Sequence, residues 1–253
     1  MDLECKATMT GPEAMPPPFV REKVQRDLSD PRVSDQVRNE QIAYYQARAP
    51  RYDDVYTCTG DYDQGPEYNA QWRSDLSDIA SGLAAAPLRG DCVELGAGTG
   101  YWSEQIVHRV QRLWLLDSSD EVLQVGRDRL GGGPAEVECE VVDLWRWEPR
   151  RTWDCALACF FLEHVPDEVL PGLLRSLHGA LRPGAPVFMA EGVARWPAPQ
   201  VETRLIGDRI FEVVERRRTA AEFAEVFGAA GFSVDLTIGP YVIFGVATRD
   251  SDG

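Results

Sequence analysis

The sequence predicts an α/β protein built on a doubly wound sheet. From Pro87 onward, apolar strand-like runs alternate with amphipathic helical stretches, and glycines follow the first of these runs. Short connections between alternating strands and helices produce parallel strands joined by right-handed crossovers. The last two strand-like runs are separated by Gly239-Pro240, which is a turn signal. We therefore expect a parallel sheet that ends in a C-terminal antiparallel hairpin.

The N-terminal residues predict little regular structure. Residues 1–20 include the run Pro16-Pro17-Pro18, which favours extended or disordered chain. The following residues, up to Gln41, are mostly charged and polar and are interrupted by Pro31, so we expect a loose helical lead-in. The chain is accordingly divided into a flexible or loosely helical extension, 1–40, and one domain, 41–253.

Within that domain, the spacing of apolar residues predicts the elements in order. A short helix is expected over 41–51, an ordered loop over 52–68 and a helix over 68–86. Strands are expected at 92–98, 113–117, 137–143, 153–161, 186–192, 232–238 and 241–248, and further helices at 101–109, 121–130, 168–181 and 220–230. The long segment 193–219 carries no assigned element.

Composition and charge restrict the class of partner. The chain has 41 acidic and 26 basic residues, and a formal charge of −15 repels phosphate backbones and anionic lipid surfaces. No apolar run has the roughly 20 residues of a spanning helix, and the N-terminus lacks a secretory signal. Six cysteines without paired spacing favour a reduced, cytoplasmic protein. We expect a small-molecule substrate, no nucleic acid and no membrane; a homo-oligomer is left open.

The glycine-rich turn of the first strand is the most informative segment. In VELGAGTGYW (93–102) a strand enters Gly96-Ala97-Gly98-Thr99-Gly100, and a helix is predicted to follow. Glycines allow positive φ and close approach of the backbone to a ligand. A dinucleotide-binding loop needs its third glycine at position 101, where this chain has Tyr101. The spacing therefore disfavours a pyrophosphate ligand; a tight turn without ligand is the structural alternative.

Two acids end the next two strands. Asp117 ends LWLLD, where a carboxylate can accept hydrogen bonds from both hydroxyls of a ribose. Asp143 ends EVVD, where it can accept from an adenine amino group while Leu144 packs beside the ring. Either acid could instead cap a helix, although no helix is evident after Asp143. Two carboxylates and a glycine turn suit a neutral or cationic adenosine-containing ligand.

These segments together resemble one enzyme family. VELGAGTG, LLDSS, VVDLW, CALACFFLEHVP and LRPGAPVFMAE occur in the order and spacing of the class I S-adenosylmethionine (SAM)-dependent methyltransferases. The resemblance covers about residues 41–192 and implies SAM as cofactor. It also implies a Rossmann-like sheet of seven strands with the terminal hairpin. The cofactor contacts that it implies are Glu94, Gly96, Ala97, Gly98, Asp117, Ser118, Asp143, Leu144 and Phe160.

A closer resemblance concerns the N-terminal helix and loop. YYQARAPRYDD, GTGYWSE, EHVPDE and RIFEVVERRRTAAEF are similar to small actinobacterial antibiotic-pathway methyltransferases, one of which methylates a phosphonate oxygen in dehydrophos biosynthesis. In these enzymes the N-terminal segment closes over the cofactor, which implies a helical lid over 41–86. A tyrosine or arginine there meets the methionine carboxylate, and Tyr45, Arg48 and Tyr52 are the candidates. Each tyrosine could equally pack the helix onto the sheet.

The acceptor site is expected after the fourth strand and in a roof formed by 193–219. His164 is the candidate general base, since a neutral imidazole can take a proton at neutral pH; it could instead cap the next helix. Arginines in an acidic protein could hold an anionic substrate by bidentate bonds, or form a solvated face with neighbouring glutamates. The candidates for substrate binding are Phe161, Arg204, Arg209 and Phe211.

The expected activity is SAM-dependent methyl transfer (EC 2.1.1) to an oxygen or nitrogen of a small metabolite, in secondary metabolism. Some quinone-pathway relatives bind a metal through Glu-x-x-Glu-His, but this chain has Phe160 at the first carboxylate, before Glu163 and His164. We therefore expect no metal. The alternatives are N-methylation of an amine-containing natural product, a nicotinamide-dependent oxidoreductase, which the glycine spacing disfavours, and a methyltransferase-like binding protein without catalysis.

Overall fold

The computed structural model describes residues 20–194 and 200–251. Residues 1–19, for which extended or disordered chain was predicted, lie outside the described part. A search of the described helices for a membrane-spanning stretch finds no candidate.

The main sheet has seven strands, as predicted. Its order is β4-β3-β2-β5-β6-β10-β9, in which β2 to β6 are parallel and β10 runs antiparallel to both β6 and β9. The strands are β2 (Asp91–Leu95), β3 (Arg112–Asp117), β4 (Glu136–Val141), β5 (Cys155–Cys159), β6 (Pro186–Gly192), β9 (Phe232–Ile238) and β10 (Val242–Arg249). The order reverses between β2 and β5, where a doubly wound sheet opens its ligand crevice.

Helices cover both faces of this sheet. One core layer joins α3, α4 and α5 to the sheet, and the other joins α6 and α7. The helices are α3 (Pro66–Ala85), α4 (Ser103–Ile106), α5 (Asp120–Leu130), α6 (Leu170–Ala180) and α7 (Ala220–Ala229). The helix expected at 101–109 is thus much shorter. Helix α3, which lies within the predicted lid over 41–86, packs its buried face into the core.

Residues 20–40, for which a loose helical lead-in was expected, contain a strand and the first part of a long helix. Strand β1 (Val20–Val24) is followed by helix α1 (Pro31–Arg48), which begins ten residues before the predicted helix. The short helix α2 (Asp54–Thr57) lies in the segment that was expected to be an ordered loop. Asp30 caps helix α1 by accepting from the Arg32 amide at 2.9 Å, and Pro31 occupies its first turn. A proline is tolerated there because its missing N–H would have no partner inside the helix, so Pro31 starts the helix that it was thought to interrupt.

The segment 193–219 contains a hairpin that the sequence did not predict. Strands β7 (Val201–Ile206) and β8 (Arg209–Val214) pair antiparallel, and β1 adds to β7 to form a second sheet in the order β1-β7-β8. Residue 207 between the two strands is a glycine with φ of 59°. The second sheet packs against α1, and the buried ring of Phe211 meets Tyr44 with 5.8 Å between centroids.

Gln41 joins α1 to two other parts of the molecule. Its side-chain carbonyl accepts from the Val214 amide in β8 at 2.8 Å, and its side-chain amide donates to the carbonyl of His164 at 3.1 Å. Gln41 is buried, and buried polar groups that lose their partners destabilise a fold more than the average hydrogen bond stabilises it. Gln41 therefore fixes the position of α1.

Replacing Gln41 with leucine should lower the free energy of unfolding by about 2 kcal/mol, because the Val214 amide loses its partner. Urea unfolding followed by circular dichroism measures the change. The matched control is Gln46→Leu, an exposed position on the same helix, which should change stability little. Equal effects of the two substitutions would contradict the docking role of Gln41.

Candidate functional site

Two adjoining cavities lie at the carboxyl ends of the parallel strands. The smaller, of about 50 Å³, is lined by residues of the glycine turn, the ends of β3 and β4, and α1. The larger, of about 110 Å³, is lined mainly by aromatic side chains with a charged end. Four residues line both: Tyr45, Tyr52, Phe160 and His164. The two cavities therefore meet at these side chains.

The glycine turn is shaped by the aromatic rings above it. Gly96 and Gly98 have φ of 65° and 52°. A Cβ on Gly96 would lie 2.4 Å from the Phe161 ring, and one on Gly98 would lie 2.9 Å from the Tyr52 ring. Both the backbone conformation and the packing therefore require glycine. Phe161 lines the smaller cavity from this position.

Asp117 holds the turn and faces the smaller cavity. Its two carboxylate oxygens accept from the Gly98 amide at 2.9 Å and the Ser119 amide at 3.0 Å. Burial raises the pKa of this carboxyl. The cap of α5 is Ser119, so Asp117 is not a helix cap. Asp117 and Ser118 both line the smaller cavity, as the ribose assignment requires.

Asp143 has a structural role that the sequence disfavoured. It caps a 3₁₀ turn, Leu144–Arg146, by accepting from the Trp145 amide at 3.1 Å, so the capping alternative is correct. Its other oxygen lies 3.0 Å from Nη1 of Arg38 in α1. Asp143 and Leu144 nevertheless line the smaller cavity.

Glu94 and Ala97 lie behind the cavities. The Glu94 carboxyl is buried and hydrogen-bonds to the Ser103 hydroxyl at the start of α4. Burial raises its pKa to about 8. The buried Ala97 donates its amide to the carbonyl of Leu116. Neither residue lines a cavity, so both support the glycine turn from beneath.

His164 is held in one tautomer. Its Nδ1 lies 2.9 Å from the Val214 carbonyl, which can only accept, so Nδ1 carries the proton. Its Nε2 therefore accepts from the Tyr45 hydroxyl, 2.8 Å away. Burial lowers the pKa of His164 to about 4. A neutral imidazole, which can accept a proton but is a weak base, thus stands where the two cavities meet.

Glu191 is a functional residue that sequence reasoning missed. Its buried carboxylate accepts from the amides of Phe161, Leu162 and Glu163 at 3.2, 2.7 and 3.1 Å. These amides belong to the turn that carries His164, and Phe160 just before it has φ of 53°, an uncommon conformation for a non-glycine residue. A lone acid in the apolar run PVFMAEG was the available signal.

The arginines of the roof are mostly paired with glutamates. Arg204 is buried and lies 2.6 Å from Glu202 and 2.7 Å from Glu215. It lines the larger cavity. Arg209 and Phe211, the other predicted roof residues, line neither of the two cavities: Arg209 is exposed over the Phe211 ring, and Phe211 packs against α1.

Glu163, His164 and Glu215 have ligand atoms within 4.8 Å of one another, a spacing that suits a metal ion. Arginines already neutralise these carboxylates, however. Arg204 lies 2.7 Å from one oxygen of Glu215, and Arg217 lies 3.0 Å from the other. Arg217 also lies 3.8 Å from Glu163. A divalent cation would meet two positive side chains here, so the cluster fits an ion-pair network better than a metal centre.

The sequence and the fold are similar to those of known proteins. Residues 92–184 match the family model of a methyltransferase domain. The chain has the fold of the class I SAM-dependent methyltransferases and resembles DhpI. The DhpI–SAH complex is 26% identical, with a TM-score of 0.73 over 87% of this chain and 99% of that one. The DhpI–SAM–HEP complex is 27% identical, with a TM-score of 0.71 over 85% and 98%.

A more distant structure shares the fold. The 1,6-didemethyltoxoflavin-N1-methyltransferase of Burkholderia thailandensis is 17% identical, with a TM-score of 0.63 over 90% of this chain and 94% of that chain. Comparison with curated protein sequences gave no match.

The buried neutral state of His164 predicts a pH-dependent contribution to stability. The unfolded chain binds a proton on this ring near pH 6.5, and the folded chain only near pH 4. The contribution is therefore fully present above pH 6.5 and is lost as the pH falls toward 4, by about 3 kcal/mol in total. The measurement is the free energy of urea unfolding at several pH values, for wild type and for His164→Gln. The difference between the two proteins at each pH gives the contribution of His164. A difference that does not change with pH would contradict the assignment.

Proposed function

We propose that this protein transfers the methyl group of SAM to an oxygen or nitrogen of a small molecule. The observation that carries the proposal is the meeting of the two cavities at Tyr45, Tyr52, Phe160 and His164, directly above the glycine turn. The smaller cavity suits the adenosine part of SAM, and the larger leaves room for an acceptor. A donor and an acceptor bound in them would meet at the shared residues.

The smaller cavity offers the polar groups that adenosine needs. Asp117 and Ser118 would receive the ribose hydroxyls, and Asp143 the adenine amino group beside Leu144. Asp117 keeps free acceptor capacity because a carboxylate has about four lone-pair positions and two amides occupy two of them.

Arg48 suits the methionine carboxylate. Its guanidinium lies 5.0 Å from the Tyr52 ring centroid and 4.8 Å from that of Tyr62, and one N–H donates to the Tyr52 carbonyl. Within residues 20–194 and 200–251, no carboxylate forms a salt bridge with it, and its buried Nε has no hydrogen-bond acceptor. A half-buried arginine without an anion is costly. The carboxylate of the cofactor would supply that anion.

The larger cavity favours an acceptor with an aromatic or apolar body. Tyr56, Tyr68, Trp72 and Tyr241 line its walls. At the charged end, the arginines are paired with Glu163 and Glu215, so the cavity does not require an anionic acceptor. The larger cavity thus selects its acceptor by shape as much as by charge.

Tyr45 and His164 form a path for the acceptor proton. SAM supplies an electrophilic methyl carbon, so that the S–C bond breaks as the bond to the acceptor forms. The Tyr45 oxygen can accept the proton of an acceptor hydroxyl or ammonium while its own proton passes to Nε2 of His164. Glu215, 3.6 Å from Nδ1, would then face the imidazolium. The residues at the junction hold the acceptor in line and exclude water.

The comparisons support a small acceptor. One DhpI structure contains both SAM and HEP, and the toxoflavin-pathway enzyme holds 1,6-didemethyltoxoflavin with S-adenosylhomocysteine (SAH). These relatives favour a role in secondary metabolism. The acceptor of this chain is left open between oxygen and nitrogen.

Asp117→Ala should weaken SAH binding at least tenfold, because the ribose hydroxyls lose a charged acceptor worth more than about 1.4 kcal/mol. Isothermal titration calorimetry measures the affinity. Asp120→Ala, an exposed acid three residues away, is the matched control. Wild-type binding of a nicotinamide dinucleotide in place of SAH would favour the oxidoreductase alternative, and unchanged affinity in Asp117→Ala would reject the ribose role.

Methyl transfer itself is tested with methyl-labelled SAM and a metabolite extract, followed by identification of the labelled product. With that acceptor, Tyr45→Phe and His164→Gln should each lower kcat about a hundredfold, a larger factor than the loss of SAH affinity in the same variant. Tyr241→Phe, a tyrosine of the same cavity away from the junction, is the control. Transfer to no molecule would favour a non-catalytic binding protein, whereas full kcat in Tyr45→Phe would reject the proton path alone.

A further inference from the structure

We infer that Arg38 determines the specificity for adenine by donating a hydrogen bond to a ring nitrogen next to the amino group that Asp143 accepts. This inference rests on the proposed function, since it concerns the cofactor of that reaction. No feature of the sequence singled out Arg38, which lies in the segment that was expected to be a loose lead-in.

Arg38 is one of a row of α1 residues that face the cavities. Arg38, Gln41 and Tyr45 follow one another at spacings of three and four, which places them on one helix face. The three residues line the smaller cavity. The Arg38 side chain is only 14% exposed, and it shares the far end of this cavity with Asp143.

Of the five N–H groups of the Arg38 guanidinium, three have partners among the described residues. Nη1 lies 3.0 Å from Asp143 and 3.3 Å from Asp35, and Nη2 donates to Asn39 at 3.4 Å. Nε is buried and has no acceptor among the described residues. A buried donor without a partner is costly, and this donor belongs to a side chain that lines the predicted adenine end.

The donor Arg38 and the acceptor Asp143, at this end of the smaller cavity, are complementary to adenine. Its amino group donates and is flanked by two ring nitrogens, N1 and N7, that only accept. Asp143 can only accept and Arg38 can only donate, so the pair is complementary to the amino group and one neighbouring nitrogen. Arg38 also forms a salt bridge with Asp143, which leaves the second oxygen of that carboxylate facing the amide of Trp145. A site that pairs both groups rejects a ligand that lacks either.

The structural alternative is that Arg38 only attaches α1 to Asp143. Loss of that attachment would weaken every cofactor analogue by the same factor. Adenine recognition instead predicts that Arg38 changes the ratio of the binding affinities of two analogues that differ at one ring nitrogen. The ratio within one variant therefore separates the two roles, even where a substitution weakens binding generally.

The test is calorimetric titration with SAH and with its 1-deaza and 7-deaza analogues, in which a C–H replaces N1 or N7. Wild type should bind one of the two analogues about tenfold more weakly than SAH, as expected for a lost hydrogen bond to a charged donor. Arg38→Met should bind that analogue and SAH equally, while Arg38→Lys should keep part of the difference. Arg32→Met, an exposed arginine of the same helix, should behave as wild type.

The outcomes separate the two proposals. The role of Arg38 is overturned if wild type binds SAH and both analogues equally, or if Arg38→Met keeps the wild-type ratio of affinities for SAH and the analogue. Either result leaves the methyltransferase proposal intact. Wild type that does not bind SAH overturns both. Loss of discrimination in Arg38→Met with discrimination retained in Arg32→Met supports the assignment.

Discussion

The hydrogen bonds around His164 hold together three parts of the molecule that are far apart in sequence. The ring donates to Val214 in β8 and accepts from Tyr45 in α1, and the backbone carbonyl of the same residue accepts from Gln41. The buried carboxylate of Glu191 holds the backbone turn that carries His164. This junction therefore helps to fix α1 and the second sheet over the seven-stranded sheet, at the place where the two cavities meet.

The parts that the sequence predicted well are those encoded locally. Each apolar run of the parallel sheet is bounded by its own turn, and Asp117, Asp143 and His164 follow strand ends, so their position on one edge follows from topology alone. Strand β1 is polar and pairs with β7 about 180 residues away, which no local pattern encodes. The start of α1 was signalled by Asp30 and Pro31. The roles of Gln41 and Glu215 depend on how α1 and β8 dock, and this could not be foreseen.

Charge is distributed unevenly between the two ends of the larger cavity. Arg204 and Arg217 are balanced by Glu202, Glu215 and Glu163. Buried ion pairs of this kind contribute little net stability, because desolvation offsets their attraction, and removing one member would leave an uncompensated charge. Their effect is to fix the geometry around His164, since Glu215 contacts Arg204, Arg217 and the imidazole. Because Arg204 and Arg217 are already paired with glutamates, they need not indicate an anionic acceptor.

The α1 arginines differ from those of the roof because each leaves a donor free. Arg38 at one end of the helix face and Arg48 at the other have a buried Nε without an acceptor in the described part of the chain, and Tyr45 lies between them at the junction. The spacing of Arg38 and Arg48, ten residues or about 15 Å along a helix, is comparable to the length of an extended nucleoside with an amino-acid tail. One helix face can therefore contact the cofactor from its base to its carboxylate. A ligand that supplies both missing acceptors would bind more tightly when α1 is docked, so binding and docking would stabilise each other. This linkage gives a physical reason why an N-terminal helix covers the site. The two core layers of the seven-stranded sheet form without α1, so the docking of α1 can depend on whether the cofactor is bound.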